Sequence, residues 1–354
     1  MTRLDRYLAR SVALGIVVAM AALLALIMFL ELIRAVGDVG GGYQLHHALW
    51  FVALRIPKVL YELFPSAALI GTLIGMGMLA RSYETVAMRA AGVSIARITI
   101  PVLAVGIIAA LLVVIIGEAI APVTSQYGER MRAAARTGLV TLRTDQGFWT
   151  RDGNAFLNIR KVVGGRQLTD IYFYELNEQG HLRVATRAAS ADYEAGQWIL
   201  HDLEQSQISD DGVSVKRIER AAWASVLDPE ILSVVVVSPD LLPIWELYRY
   251  ADFLRSNGQR ATEIEHGFWT RIVNPLNVLV LMIVALPFVF YGNPRSTSIG
   301  QRIFLGVLTG IGFYLGSRAL SQVGLVYSVN PLAAASLPTL AILAVAGVFL
   351  VRAR

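Results

Sequence analysis

The residues that could do chemistry in this sequence are ionisable side chains set within or beside long apolar stretches: Glu31, Arg34, Arg55, Lys58, Glu62, Glu118, Arg271 and Arg318. A charge at the centre of a membrane-spanning helix costs about 2.5–3.5 kcal/mol on insertion scales, so each is placed for a reason. Glu31 and Arg34 are three apart and share a helical face; a plain intrahelical pair explains them as well as a binding role does. Arg130, Arg132 and Arg136 make a second basic group, the last two at an i, i+4 spacing. Guanidinium groups so placed suit phosphates or carboxylates, which match their planar fork.

Covalent chemistry finds no support. The chain has no cysteine, which excludes a disulfide framework, a thiolate zinc site, an iron–sulfur cluster and a cysteine nucleophile together. The five histidines, His46, His47, His181, His201 and His266, lie neither at metal-ligand spacing nor beside a serine elbow. His46 and His47 are adjacent, point about 100° apart on a helix, and read as an interfacial polar pair. There is no Walker-type phosphate loop, and Gly40-Gly41-Gly42 reads as a flexible elbow. No metal or cofactor is therefore expected in this chain.

The elements that must hold these charges are membrane helices. Of 354 residues, 55% are apolar and 16% charged, against about 25% charged in soluble domains. Six apolar runs cover Val12 to Leu32, Leu60 to Leu79, Ile98 to Ile120, Ile272 to Tyr291, Ile303 to Val323 and Pro331 to Val351. About 20 residues at 1.5 Å each match a hydrocarbon core of about 30 Å. The first run is too long for a signal peptide and is followed by Glu31, Arg34 and Asp38 rather than a cleavage site.

Positive residues near helix ends stay on the cytoplasmic side. Arg3, Arg6, Arg10, Arg81, Arg89, Arg97, Arg295, Arg302, Arg352 and Arg354 fall on one side, which puts both termini in the cytoplasm. The stretch between the third and fourth runs then lies outside. From residue 121 to 266 it holds 16 basic and 20 acidic residues, so the basic excess belongs to the membrane part and nucleic acid is not the partner. All eight ionisable residues then fall in the outer half of the bilayer. The nearly uncharged central turns argue against an ion-coupled carrier, whose site sits near the midplane. They favour a large amphipathic ligand with its head at the outer interface and its tails among the helices.

Between Gly147 and Ser238 the hydrophobic period falls to two. Ala155 to Val163 is one strand, Leu168 to Leu176 a second, and His181 to Ala185 begins a third. Asp152-Gly153, Gly164-Gly165, Glu178-Gln179-Gly180, Ala195-Gly196 and Asp211-Gly212 punctuate them as turns. An antiparallel sandwich, jelly roll or small barrel of roughly 90 residues follows, without helical segments. On the other side of the membrane, Arg81 to Ser94 reads as a short amphipathic helix stopped by Gly92, with Glu84 and Met88 on one face. It suits either a helix lying in the membrane interface or one that docks into a cytoplasmic ATPase.

With these residues in view, the chain resembles the LptF/LptG family, the permease subunits of the bacterial lipopolysaccharide export ABC transporter, and more closely its LptG branch. The resemblance is carried by Glu84-Thr85-Val86-Ala87-Met88-Arg89-Ala90-Ala91-Gly92-Val93-Ser94, Ser238-Pro239-Asp240-Leu241-Leu242, the Pro275 to Pro287-Phe288 span and Asn330-Pro331, and it covers nearly the whole chain. It implies an α-helical membrane protein with six transmembrane helices and an inserted periplasmic all-β jellyroll-like domain. Residues 1–120 would hold the first three helices and a coupling helix at about 81–94. Residues 121–266 would be periplasmic, with the jellyroll at about 147–238, and 267–354 would hold the last three helices.

The resemblance also implies partners in a Gram-negative inner membrane: an LptF-like sister permease, an LptB-like ATPase dimer that binds ATP and Mg, an LptC-like single-span jellyroll protein, an LptA-like periplasmic bridge, and lipopolysaccharide as cargo. By position, Arg34 with Glu31 and Lys58, and Arg132 with Arg136, would meet the lipid, while Phe313, Tyr314 and Arg318 would line a cavity or gate. Glu84, Met88, Arg89 and Gly92 would form the ATPase-coupling element. Where the family often carries several lysines after the first span, this chain has Gly37-Asp38-Val39-Gly40. The competing reading is a membrane-anchored scaffold whose β-domain recruits partners without moving lipid. An intramembrane hydrolase is disfavoured, since no paired aspartates, Ser/His pair or metal cluster lies within the runs.

Overall fold

The computed structural model describes residues 2–40, 42–137, 141–152, 155–163, 167–177, 179–194, 196–209, 212–223, 237–290, 299–327 and 329–352. Its helices are α1 (Arg3–Gly37), α2 (Leu45–Arg81), α3 (Glu84–Ala90), α4 (Ile95–Ile115), α5 (Ala121–Thr137), α6 (Ile244–Ser256), α7 (Thr262–Phe290), α8 (Ile299–Val326) and α9 (Pro331–Arg352). The chain divides into two compact units. One comprises residues 1–35, 52–125 and 262–354, and the other 36–51 and 126–261.

The first unit is helical. Among the described residues, four helices are long and apolar enough to cross a membrane, Arg3–Gly37, Leu45–Arg81, Ile95–Ala135 and Thr262–Val289, and Pro331–Ala344 is a shorter apolar helix. The fifth and sixth apolar runs fall on α8 and α9. Helices α1 and α2 meet through glycine. A Cβ on Gly15 would lie 2.2 Å from the Gly71 carbonyl oxygen, and one on Gly75 would lie 2.5 Å from that of Ser11. The Ser11 hydroxyl donates to the Gly75 carbonyl at 3.0 Å. Gly71 and Gly75 form the small-xxx-small spacing by which membrane helices approach backbone to backbone.

Around that crossing lies the core, with Leu8, Val12 and Ile16 against Leu69, Leu73 and Met76, extended by Ile98 and Val102 of α4 and Val278 and Leu281 of α7. Only the first half of α1 is packed deeply into the core. Its buried residues run from Leu8 to Met20 at helical spacing, and beyond them only Ala35 is buried. Leu26, Phe29 and Ile33 are exposed.

The third apolar run ends at Ile120, where the sequence predicts the end of the helix. The helix instead passes through a π-turn at Ile116–Ile120 and continues as the 17-residue α5. Residues 121–137 are polar but rich in alanine and arginine, good helix formers, so loss of hydrophobicity does not break the helix. Asn330 and Pro331 open α9: the Asn330 side chain accepts from the Leu332 amide at 3.0 Å, and Pro331 takes the first helical position.

In the second unit, six strands form one antiparallel sheet in chain order: β1 (Thr141–Asp152), β2 (Ala155–Val163), β3 (Gln167–Leu176), β4 (Leu182–Glu194), β5 (Gln197–Ser209) and β6 (Gly212–Trp223). The all-β insertion is thus, among the described strands, an up-and-down meander. Its inner face buries Leu157, Ile159, Leu168, Ile171 and Trp198. Gly180 and Gly196 adopt φ of +81° and +88°, as tight hairpins demand.

Two departures stand out. The first strand begins at Thr141 rather than Gly147, and its register shifts between Arg143 and Phe148, which breaks the period-two pattern there. Helix α6 is absent from the sequence reading. It buries Leu247, Ala251 and Leu254 at i, i+4, i+7, and Gly258 at φ +66° ends it. The Ser238–Leu242 segment leads into α6, and the Gln126 side chain of α5 donates to the Leu241 carbonyl at 3.0 Å.

Candidate functional site

In the first unit the ionisable residues are largely paired. Glu31 near the end of α1 accepts from Arg55 of α2 at 3.1 Å, while Arg34 lies 3.7 Å away. Arg55 therefore supplies the closer neutralisation. The Glu31 side chain is 14% exposed, whereas that of Arg34 is 76% exposed. Lys58 and Glu62, one turn apart on α2, approach to 4.0 Å.

A second cluster joins three helices. Arg271 of α7 lies 3.6 Å from Glu118 in the π-turn, with side chains 9% and 17% exposed. The same guanidinium donates to the Gly117 carbonyl at 2.7 Å and stands 5.3 Å from the centre of the Tyr61 ring. A Cβ on Gly117 would lie 2.4 Å from that ring, so only glycine lets Tyr61 pack there. Pro122, five residues on, has no N–H to give the Gly117 carbonyl, and Arg271 of α7 supplies the donor. Pro65 likewise cannot donate to the carbonyl of Tyr61 four residues earlier. Asn274 of α7 does so from its side chain, at 3.3 Å.

Sequence reasoning singled out Glu118 and Arg271 separately but did not pair them, and it missed Tyr61 and Asn274. The available signals were opposite charges at the facing ends of two runs and a proline four residues after a tyrosine. With the carboxylate neutralised and the carbonyls filled, this cluster clamps helices together.

On α8, Arg318 donates to the Tyr314 hydroxyl at 2.7 Å, its guanidinium 5.9 Å from that ring. Phe313 packs against the helical core, while Tyr314 is exposed. The three predicted residues thus divide: one is anchored inward, and two form an exposed i, i+4 pair.

The loop between α2 and α4 is short and is closed by hydrogen bonds at the C-terminus of α3 and the N-terminus of α4. In α3, Glu84 accepts from the Ser82 hydroxyl at 2.7 Å. Gly92 at φ +86° closes the helix: its amide donates to Arg89 and that of Val93 to Met88, both at 3.0 Å, the two bonds of a Schellman motif. Met88 and Val93 pack against the core, and Arg89 is exposed. Ser94 then caps α4, accepting from the Arg97 amide. The half-buried Glu84 and exposed Arg89 are thus presented by a glycine-terminated turn.

In the second unit, Arg132 of α5 is paired with Asp38, and its guanidinium stacks 4.7 Å from the Phe51 ring. The predicted elbow is a tight turn. Gly40 and Tyr43 exchange two backbone hydrogen bonds, and a Cβ on Gly42 would lie 2.4 Å from the Ala135 carbonyl oxygen. Gly41 lies outside the described residues, as does the side chain of Arg136. On α6, burial raises the Glu246 pKa above the usual carboxylate value, opposed by Arg249 and Arg130. Among the described residues, no group of three or more His, Cys, Asp or Glu is placed to hold a metal ion.

The family model described as lipopolysaccharide export system permease LptF/LptG matches residues 6–352. The chain is 36% identical over 343 residues to the lipopolysaccharide export system permease protein LptG of Haemophilus influenzae, covering 95% of each chain. It is 34% identical over 342 residues to the LptG proteins of Escherichia coli K12 and O6:H1, covering 95% of this chain and 94% of theirs.

Proposed function

Since this chain belongs to the LptF/LptG family of lipopolysaccharide export permeases, we propose that it is the LptG-type permease subunit of an ATP-driven transporter. It draws lipopolysaccharide from the outer leaflet of the inner membrane and passes it to a periplasmic bridge. On this reading a sister permease, a cytoplasmic ATPase dimer that binds ATP and Mg, and a single-span jellyroll protein complete the machine. The chain itself contributes no catalytic group. Glu84 and Arg89 on α3 offer the ATPase a carboxylate and a guanidinium, and Met88 and Gly92 hold that turn in shape.

The observation that carries the reading is the arrangement at Glu31. Arg55 takes the carboxylate at 3.1 Å, which leaves Arg34 with 76% of its side chain exposed and available to a lipid phosphate. Lys58 is held beside this site by Glu62. Arg132 and Arg136 would meet the headgroup separately, Arg132 by exchanging Asp38 for a phosphate. The exposed apolar side chains Leu26, Phe29 and Ile33 of α1 and the exposed Tyr314 of α8 suit acyl chains. Withdrawing one chain of about a dozen methylenes into water costs on the order of 10 kcal/mol at about 0.8 kcal/mol per CH₂. A multi-chain lipid needs both a sheltered path and an external energy source.

The test is a photocrosslinking residue at position 34 in intact cells, with an exposed outer position as an accessibility control. A lipopolysaccharide adduct that changes when the ATPase is inactivated supports export. Adducts to protein alone, with the control accessible, would put the scaffold reading ahead.

A further inference from the structure

The meander has two faces, and the one opposite its core is unusually aromatic. Trp149 of β1 stands opposite Asn158 of β2, Asn158 opposite Tyr172 of β3, and Tyr172 opposite Arg187 of β4. Directly opposed residues share a face of the sheet, so these four lie in one row across four strands. Tyr174, two residues along β3, joins them on the same face. Leu157, Ile159, Ile171 and Phe173 alternate with them and are buried on the other side.

The three rings are close to parallel. Tyr172 and Tyr174 are 6.5 Å apart at 7°, and Trp149 and Tyr174 are 5.8 Å apart at 22°. Cations flank them: the Arg160 guanidinium lies 4.9 Å and that of Arg187 5.9 Å from the Tyr172 ring. Arg187 and Lys161 also share Asp170, at 3.2 and 3.5 Å. Glu204 of β5 stands opposite Arg187 and Arg217 of β6 opposite Glu204, so the face carries four cations against two carboxylates and is positive. Trp149 is 55% exposed, so its ring is not part of the core. Cross-strand pairing alone stabilises a sheet without requiring large aromatics on a wet face.

We infer that this outer face of the β-domain, Trp149, Tyr172 and Tyr174 with Arg160 and Arg187, binds the phosphorylated oligosaccharide part of the exported glycolipid, a site separate from those for its lipid. The inference rests on the export reading above. A pyranose ring presents a face of C–H groups with positive edges, which packs on the electron-rich face of an aromatic ring. Its phosphates match the guanidinium forks, and its hydroxyls match Asp170. Trp149 offers its exposed face to a sugar, Tyr172 carries the two guanidinium groups that would meet its phosphates, and the net positive charge selects a phosphorylated glycan over a neutral one.

The test uses the full-length chain in nanodiscs. The probe is the delipidated, phosphorylated core oligosaccharide of lipopolysaccharide, its enzymatically dephosphorylated form is the comparison, and binding is measured by calorimetry and saturation-transfer NMR. Tyr172→Ala is expected to weaken binding about tenfold, while Tyr172→Phe, which keeps the ring, stays within about twofold. Arg187→Gln is expected to erase the preference for the phosphorylated form. The position-34 crosslink is run alongside in each variant.

A lipid adduct at position 34 that persists in Tyr172→Ala, with oligosaccharide binding reduced, supports a distinct glycan site. An intact lipid adduct with no oligosaccharide binding by the unaltered chain, or with equal binding by Tyr172→Ala, overturns the inference and leaves the export reading standing. A photocrosslinking residue placed at position 149 that captures a protein partner, with no oligosaccharide binding by the unaltered chain, also overturns it. Loss of the lipid adduct in the unaltered chain removes the export reading, and the glycan site with it.

Discussion

Asn274 on α7 donates its side-chain amide to the backbone carbonyl of Tyr61 on α2, the carbonyl left without an intrahelical donor by Pro65. Asn274→Leu should leave this carbonyl without its donor at a cost of about 1–3 kcal/mol. In Pro65→Ala the α2 amide is restored, so the loss on removing Asn274 should be clearly smaller. Thermal unfolding of the purified chain in detergent, run as a double-mutant cycle, reads the coupling. Equal losses in both backgrounds would sink the assignment.

Arg271 holds both the Glu118 carboxylate and the Gly117 carbonyl. Arg271→Leu strands a largely buried charge and is expected to cost about 3–5 kcal/mol, whereas Glu118→Gln, which keeps a polar partner without the charge, should cost less. Stability by detergent melting and steady-state level in the membrane are the readouts.

Gly75 and Gly77 lie two residues apart on α2 and predict opposite outcomes. A Cβ on Gly75 runs into the α1 backbone at Ser11 and Val12, whereas one on Gly77 meets nothing within 4 Å. Gly75→Ala should destabilise by about 1–3 kcal/mol through overpacking. Gly77→Ala should stabilise by about 0.4–1 kcal/mol by restricting the unfolded chain. Melting temperatures of the two variants decide it.

Glu84→Ala removes the acid of α3 and leaves its Schellman closure at Gly92 untouched. The chain should reach the membrane at normal levels and melt within about 0.5 kcal/mol of the unaltered protein, as surface changes usually do. Co-purification with the ATPase and ATP-dependent lipid release should both fall. Normal export by this variant would remove α3 from the coupling role.

Glu246 sets a pH dependence in the second unit. Burial raises its pKa in the folded chain above the unfolded value, so folding favours the protonated form. The stability it contributes is full below the unfolded pKa of about 4.3 and is lost as pH rises through the raised folded value. Glu246→Gln should flatten this part of the stability profile in mild acid and leave the neutral-pH melting point equal or higher. Melting curves across that range test the sign.

What could be read from the sequence was local. Long apolar runs locate the spans because a hydrocarbon slab imposes its thickness on any helix that crosses it. Strand β2 spans Ala155–Val163 as its alternation predicts, and Gly92 closes α3 because few other residues adopt φ +86° there. Contacts between residues distant in the chain could not be read. Glu118 and Arg271 stand out at the ends of the third and fourth apolar runs, but nothing along the chain says that one completes the other. Nor does it say that Arg132 is already engaged by Asp38. Helix α6 escaped notice because its buried positions, Leu247, Ala251, Phe253 and Leu254, are interleaved with the charged Glu246, Arg249, Asp252 and Arg255.

The clamp on α7 also has a clock attached. Arg271 and Asn274 lie 154 and 213 residues after the carbonyls they satisfy. At about 5–20 residues per second of synthesis, the first three helices wait on the order of ten seconds or longer, with those two backbone oxygens lacking their final donors. The nascent amino-terminal half therefore enters the bilayer as an unfinished assembly. A chain truncated after its β-domain should be recognised by membrane quality control and degraded, and co-expressing the missing carboxy-terminal helices as a separate fragment should rescue it.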